Sequence, residues 1–317
     1  MDGKVIPDAV LLNPACRGQD WADYEQSKSN FGSLLVTPDY DLIERASQEL
    51  GFSREKFATG EYLFEALYTT LSTSLDFDGA HGARFVEQWL SAKGSAGYAY
   101  LGKALVQYHG AWKARGTGFA NTVTPEAWDA FYKGLAEANA TLDSSSAMLK
   151  QMGPWHALKL AIVFAHPKLE SERPKALQAA SLAWPDYLTV YSIPMERMHP
   201  RWGGSYELME GVARFALDRT KAEHGASIYA LLYERQFRED CDCTLADSKA
   251  DWTLMKQGFR DADKRRALQP LRTKRFAALA CQVRDRDEAR RLYEIYDKVR
   301  DRSAGEEPDA CRIFASK

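Results

Sequence analysis

The sequence predicts an all-α protein: an array of antiparallel helical hairpins, degenerate rather than strictly repeating. Three observations predict it. Apolar residues recur at spacings of three and four through nearly the whole chain, which is the period of one helix face. The segments so marked stop at prolines and glycines and are joined by short connections, as antiparallel neighbours require. No segment shows sustained apolar–polar alternation bounded by hairpin turns, so strands are not expected.

In chain order, residues 1–30 show no clear period and are expected to wrap the surface as an irregular segment. Leu34–Leu50 and Glu61–Leu75 read as a first hairpin, joined by the polar loop "SREKFATG" at 53–60. The stretch "DFDGAHG" at 76–82 is the first strong breaker; "SSS" at 144–146 and residues 301–309 are the others. From residue 98 onward, Tyr98, Leu101, Leu105, Tyr108 and Trp112 fall on one stripe. Pro125–Leu142 carries Trp128, Phe131, Tyr132, Leu135 and Ala138. Its start is well marked: Thr124 is placed to cap, Pro125 suits the first helical position and Glu126 complements the helix dipole. Pro154–Ala165 follows with Trp155, Leu158 and Ile162, closed by His166 and Pro167. Pro174–Ala183 runs until Trp184 and Pro185, because a residue before proline resists helical angles.

Tyr187, Val190 and Tyr191 open a helix that Pro194 should kink or shorten. Leu208, Val212, Phe215 and Ala216 mark the next, then Ile228, Tyr229, Leu231 and Leu232. Trp252, Met255 and Phe259 share a face, as do Phe276, Leu279 and Ala280, and then Leu292, Tyr293, Tyr296 and Val299. Asp285 with Glu288 offers a capping-box-like start for that last helix. No single fixed period joins these segments. The expected organisation is an irregular 1–30, one helical-array domain over 31–300 with a sub-boundary near 76–97, and a tail at 301–317.

A chain of 317 residues with 45% hydrophobic and 27% charged residues has ample material for a core and is far from disordered composition. The net charge of −2 gives no overall attraction to nucleic acid or anionic lipid. Residues 241–317 hold 18 Lys/Arg against 14 Asp/Glu, a local +4 that a solvated helical surface explains. Leu158–Ala165 is the longest apolar run and Lys159 interrupts it, well short of the roughly 18 residues that span a bilayer. No membrane partner is therefore expected. No basic-then-apolar leader opens the chain. Five cysteines cannot all pair within one chain; Cys241 and Cys243 stand too close for an easy mutual disulfide, and Cys281 lies in an apolar helical stretch that suits a buried small hydrophobe. A reducing, cytoplasmic compartment is the simpler expectation, with export after removal of a leader as the alternative.

Four passages occur in order: "LLVTPDYDLIERASQELGFSREKFATGEYLFEALYTTL", "AWKARGTGFANTV", "HPRWGGSYELMEGVARFA" and "RFAALACQVRDRDEARRLY". Together they resemble an uncharacterised bacterial family classed only as a domain of unknown function. Its marks are an Ala-Trp-x-Ala-Arg-Gly segment, a Pro-Arg-Trp-Gly-Gly-Ser turn and a tetratricopeptide-like C-terminal helical pair. The resemblance would span roughly residues 30–300, and it departs from the pattern at Gln282, Val283 and Arg284, where a small residue is expected before the Asp. It implies a tetratricopeptide-like array and no activity.

The chemistry-bearing candidates are few. "HPRWGGS" at 199–205 reads first as a corner between two helices. Gly203 and Gly204 allow a sharp reversal, Ser205 can cap the following helix with Glu207 near its positive end, and Trp202 is expected to be buried between the flanking helices. Arg201 would bond the last carbonyls of the preceding helix. The functional reading of the same stretch is anion capture by Arg201 and exposed amides at a helix start.

"RGTG" at 115–118 lacks the Lys-Ser/Thr and the preceding strand of a phosphate loop; Gly116 is expected to end a helix and Arg115 to clamp backbone or carboxylate. His81, His109, His156, His166, His199 and His224 are scattered, without a zinc-like pairing. Cys241, Cys243 and His224 could form a metal site only across a long loop, and Cys16 in "PACRG" is a poor candidate nucleophile. No metal or cofactor is expected.

The leading expectation is a non-enzymatic helical-repeat-like protein that binds a protein or peptide partner, with a toxin-neutralising (immunity) or adaptor role as its bacterial form. The competing expectation is an enzyme or small-anion sensor built on Arg115, His199 and Arg201. Nucleic-acid binding through Lys264, Arg265, Arg266, Arg272, Lys274 and Arg275 is a third option that the overall charge disfavours.

Overall fold

The computed structural model describes residues 21–36, 38–77, 79–94, 97–239, 245–265, 270–299 and 310–316. Within them the protein is all-α, with fifteen α-helices and no strand beyond one isolated antiparallel bridge between Lys56 and Tyr62. None of these helices is long and apolar enough to cross a membrane. The chain divides into two compact units: one runs to Trp184 apart from Ala58–Gly60, and the other comprises Ala58–Gly60 and everything from Pro185. The sequence suggested one array over 31–300 with a sub-boundary near 76–97. In the structure that stretch lies inside the first unit, and the division falls where Pro185 stops a helix.

The first unit contains α1 (Trp21–Val36), α2 (Tyr40–Phe52), α3 (Leu63–Phe77), α4 (Gly79–Lys93), α5 (Ala99–Arg115), α6 (Pro125–Asp143), α7 (Gly153–Ala165) and α8 (Arg173–Ala183). α3 is its hub, packing on α1, α2, α4, α5 and α7, while α5 and α6 form a long hairpin. Residues 21–30, expected to be irregular, belong to α1; the polar run Glu25–Asn30 hides the period that Phe31, Leu34 and Leu35 complete by burying one face. Leu34–Leu50 is not one helix either. Pro38 cannot donate to a continuing helix, and Asp39 caps α2 by accepting from Leu42 N at 3.0 Å.

α6 starts as its sequence predicts, with Thr124 Oγ accepting from Ala127 N at 3.3 Å. α7 is buried on nearly every side, which a helix with one apolar stripe could not be. Its one cation is neutralised in place: Lys159 Nζ donates to Asn139 Oδ1 at 2.7 Å and Asp143 Oδ1 at 2.9 Å, with Glu172 Oε2 at 3.4 Å. A buried lysine requires such partners.

The second unit contains α9 (Leu188–Arg197), α10 (Tyr206–His224), α11 (Ser227–Glu239), α12 (Trp252–Arg265), α13 (Pro270–Gln282), α14 (Arg286–Val299) and α15 (Ala310–Ser316). α9 packs on α10, α10 on α11 and α11 on α12; α13 packs on α14 and α14 on α15, with α11 also touching α13. This neighbour-to-neighbour packing is that of a repeat-like array. Pro194 lies inside α9, which runs on to Arg197. α10 turns inward Met209, Ala213, Ala216 and Thr220, leaving Leu208 exposed. The expected stripe was therefore off by one position at its start.

Asp285 Oδ1 caps α14 through Glu288 N at 3.1 Å. Glu288 does not complete the box: its carboxylate meets Arg260 at 2.8 Å and Arg291 at 2.6 Å. Glu210 on α10 accepts from Tyr233 at 2.5 Å, Tyr229 at 2.9 Å and Arg214 at 2.5 Å, and Tyr229 Oη accepts from Asp251 N at 2.8 Å. That network ties three helices together, and burial pushes both phenols above their ordinary pKa.

Cys281 is half-buried rather than buried as expected, and Cys311 Sγ lies 3.4 Å from Ala277 O. Cys16, Cys241 and Cys243 lie outside the described residues.

In the first unit a single buried carboxylate joins three elements. Glu44 on α2 accepts from Trp89 Nε1 of α4 at 3.1 Å, from Tyr98 N at the start of α5 at 2.6 Å and from Gln48 at 3.0 Å. It thus satisfies an amide at a helix start that no local cap serves. Glu44→Ala would strand buried donors. The expected cost is about 2 kcal/mol of unfolding free energy, to be read as a lower urea midpoint; an unchanged midpoint would show that water replaces the carboxylate.

Candidate functional site

The corner at residues 199–205 is specified by contacts at every position but one. After α9, Pro200–Trp202 make a single tight turn. His199 is buried and its Nδ1 accepts from Arg201 N at 3.2 Å, so the imidazole itself caps the turn. Gly203 takes φ +86°, a left-handed conformation open to glycine. A Cβ on Gly204 would collide with the Met198 carbonyl. Ser205 Oγ accepts from Leu208 N at 3.2 Å and starts α10, with Glu207 in its first turn.

Trp202 is the exception. It was expected to fill the corner and is instead 36% exposed. Two guanidiniums flank it: Arg197 lies 5.0 Å from the ring centroid and Arg201 5.6 Å, the geometry of cation–π contact. Arg201 is exposed and its head stays beside the ring, away from the role expected for it on the carbonyls at the end of α9.

Arg115, the other candidate, belongs to the first unit, whereas His199 and Arg201 belong to the second. It is buried; its Nη1 donates to Gly116 O at 3.0 Å and Gly118 O at 3.1 Å, and its guanidinium lies 4.9 Å from the Trp128 ring. Gly116 ends α5 at φ +77° as expected. Capturing an anion with Arg115 would require displacing its own loop. That loop is braced further by Thr122 Oγ, which donates to Phe119 O at 2.8 Å, and it leaves Phe119 85% exposed. Each unit thus carries an internally tied loop with one large aromatic turned to solvent.

Two of the other histidines have local roles. His166 Nδ1 accepts from Lys168 N at 3.1 Å, repeating the His-Pro cap of His199, and burial lowers its pKa. His224 pairs with Asp186 at 3.2 Å. Among the described residues no cluster of three His, Cys, Asp or Glu could hold a metal ion. Within the basic C-terminal set, Arg275 pairs with Glu234 at 2.9 Å, Lys264 with Asp261 at 3.7 Å, and Lys274 lies 5.8 Å from the Tyr296 ring. Arg266 lies outside the described residues. A sequence cannot signal that Trp202 is exposed, because the same dipeptide of Trp and Gly serves a filled corner equally well. No protein-family model, curated protein or solved structure matches the chain.

Proposed function

We propose that this protein binds a protein or peptide partner and that Trp202, between Arg197 and Arg201, is the anchor of the contact. One observation carries the reading: a solvent-exposed Trp sits between two guanidiniums on a corner that the backbone holds in one conformation. A lone exposed apolar residue needs no explanation. Here the setting is what binding anchors share: Trp and Arg dominate interface energetics, and a corner already ordered loses little freedom on binding. The chemistry fits a partner segment that places a carboxylate beside an apolar side chain, with the carboxylate meeting a guanidinium.

The test separates binding from folding. The partner captured on the immobilised chain is purified and titrated by calorimetry against wild type and Trp202→Ala. The variant is expected to bind about 30-fold more weakly, or ~2 kcal/mol, while its thermal midpoint stays at the wild-type value. Equal affinity for wild type, Trp202→Ala and Arg201→Ala would move the interface elsewhere.

A further inference from the structure

In the first unit, α3 and α5 bring together three side chains whose order is that of a nucleophile, its base and an orienting acid. Ser72 and Asp76 stand four residues apart on one face of α3. Against them α5 sets His109 and, one turn further, Lys113. Ser72 Oγ lies 3.0 Å from His109 Nε2, and His109 Nδ1 lies 3.5 Å from Asp76 Oδ1. Lys113 Nζ is 3.6 Å from the same carboxylate oxygen and donates to the Asp76 carbonyl.

The electrostatics suit a base. A carboxylate at Nδ1 favours the tautomer protonated there, which leaves the Nε2 lone pair facing the Ser72 hydroxyl. Burial is the main influence on His109 and lowers its pKa; Asp76 opposes this and Lys113 reinforces it. The net shift is downward, so the imidazole is the free base at neutral pH. The site is also reachable: Ser72 and His109 are half-buried and Asp76 is exposed. A ladder serving only to join two helices would need no such ordering from hydroxyl to imidazole to carboxylate.

We infer that Ser72 is an acyl-accepting nucleophile, with His109 as its general base and Asp76 as the group that orients the imidazole, acting on small activated carboxylic esters. Ser72 Oγ attacks the ester carbonyl carbon and its proton passes to His109 Nε2. The bond from that carbon to the leaving oxygen breaks, and the alcohol departs with the proton from Nε2. Water, deprotonated by the same nitrogen, then attacks the acyl-Ser72 carbonyl, releasing the carboxylic acid and restoring the hydroxyl. The α3 amides are committed to their own helix and Lys113 Nζ is engaged by Asp76, so neither is free to meet the developing oxyanion. Turnover is therefore expected to be slow and covalent capture easier to see than steady-state hydrolysis. This activity is independent of the Trp202 corner, which lies in the other unit.

The full chain is treated with an alkyl fluorophosphonate and, separately, with p-nitrophenyl acetate, and the modified residue is located by peptide mass spectrometry. The expected result is an adduct on Ser72 that Ser72→Ala abolishes and that forms about 100-fold more slowly in His109→Gln. Its rate should rise with pH through a midpoint below the ordinary histidine value. Mapping the adduct on the wild-type chain decides the matter even where a variant fails to fold. No adduct, an adduct on another residue, or equal rates for wild type and a folded His109→Gln would reduce the three groups to a polar fastening between α3 and α5 and overturn the assignment.

Discussion

Trp184→Ala is expected to destabilise the first unit by about 3–5 kcal/mol, the range for removing a large aromatic from a core. Trp184 follows α8 and is only 1% exposed. Its ring meets Tyr62 at 5.2 Å and Phe64 at 5.1 Å, both edge-on, and such pairs add to plain burial. The Arg54 guanidinium lies 3.5 Å from the ring centroid, and Trp184 Nε1 donates to Gln151 O at 3.0 Å. Alanine would leave a cavity under Arg54 and remove the hydrogen bond to Gln151 O. Trp184→Phe keeps an aromatic ring and loses the hydrogen bond, so it should cost about 1–2 kcal/mol. Urea denaturation followed by circular dichroism gives both values. If the alanine variant lost no more than the phenylalanine one, the ring contacts would not be what holds this part of the core.

Acid should weaken the same region through His156. This side chain is buried on α7, and burial together with the nearby Arg54 charge pushes its pKa from the ordinary 6.5 down to about 4. In the unfolded chain the imidazole takes a proton below pH 6.5, whereas in the folded chain it stays neutral to about pH 4. The unfolded state thus binds more protons across that window, and stability falls as the pH is lowered through it. The contribution is fully present above pH 6.5 and decreases by about 3 kcal/mol on reaching pH 4, since a tenfold change in proton activity is worth ~1.4 kcal/mol. His156→Leu should remove this component, so the difference between wild-type and variant unfolding free energies, measured from pH 7 to pH 4, should slope across the window. A flat difference would mean that His156 titrates alike in both states.

These two residues show why some features are legible in the sequence and others are not. Trp184 is readable as a helix stop, because the Pro185 that halts α8 is its immediate neighbour. That it is also the ring on which Tyr62, Phe64 and Arg54 converge depends on parts of the chain more than a hundred residues away. The cap at Thr124, the stop at Gly116 and the cap at Ser205 are legible for the same reason as the stop: each signal and its effect lie within a turn of one another. The first hairpin differs from expectation where such a local signal, Pro38 followed by Asp39, outweighs the longer apolar pattern around it. Of the candidate site, the corner's backbone is readable and its exposed Trp202 is not. Ser72 and Asp76 carry no signal of their own within α3, and His109 looks isolated in the sequence because Ser72 is 37 residues away in the chain.

By itself, the sequence determined the all-helical class, several helix starts and stops, and the shape of the turn between α9 and α10. Those depend on dihedral restrictions and hydrogen bonds between near neighbours, which residue identity carries directly. Only the tertiary structure decided the division into two units at Trp184 and Pro185, the burial of α7 on nearly all its sides, the emergence of Trp202 into solvent and the meeting of Ser72, His109 and Asp76. An apolar stripe states that a helix face will be covered, but the covering partner is selected by packing across the whole unit. The pairing of distant side chains follows from that packing.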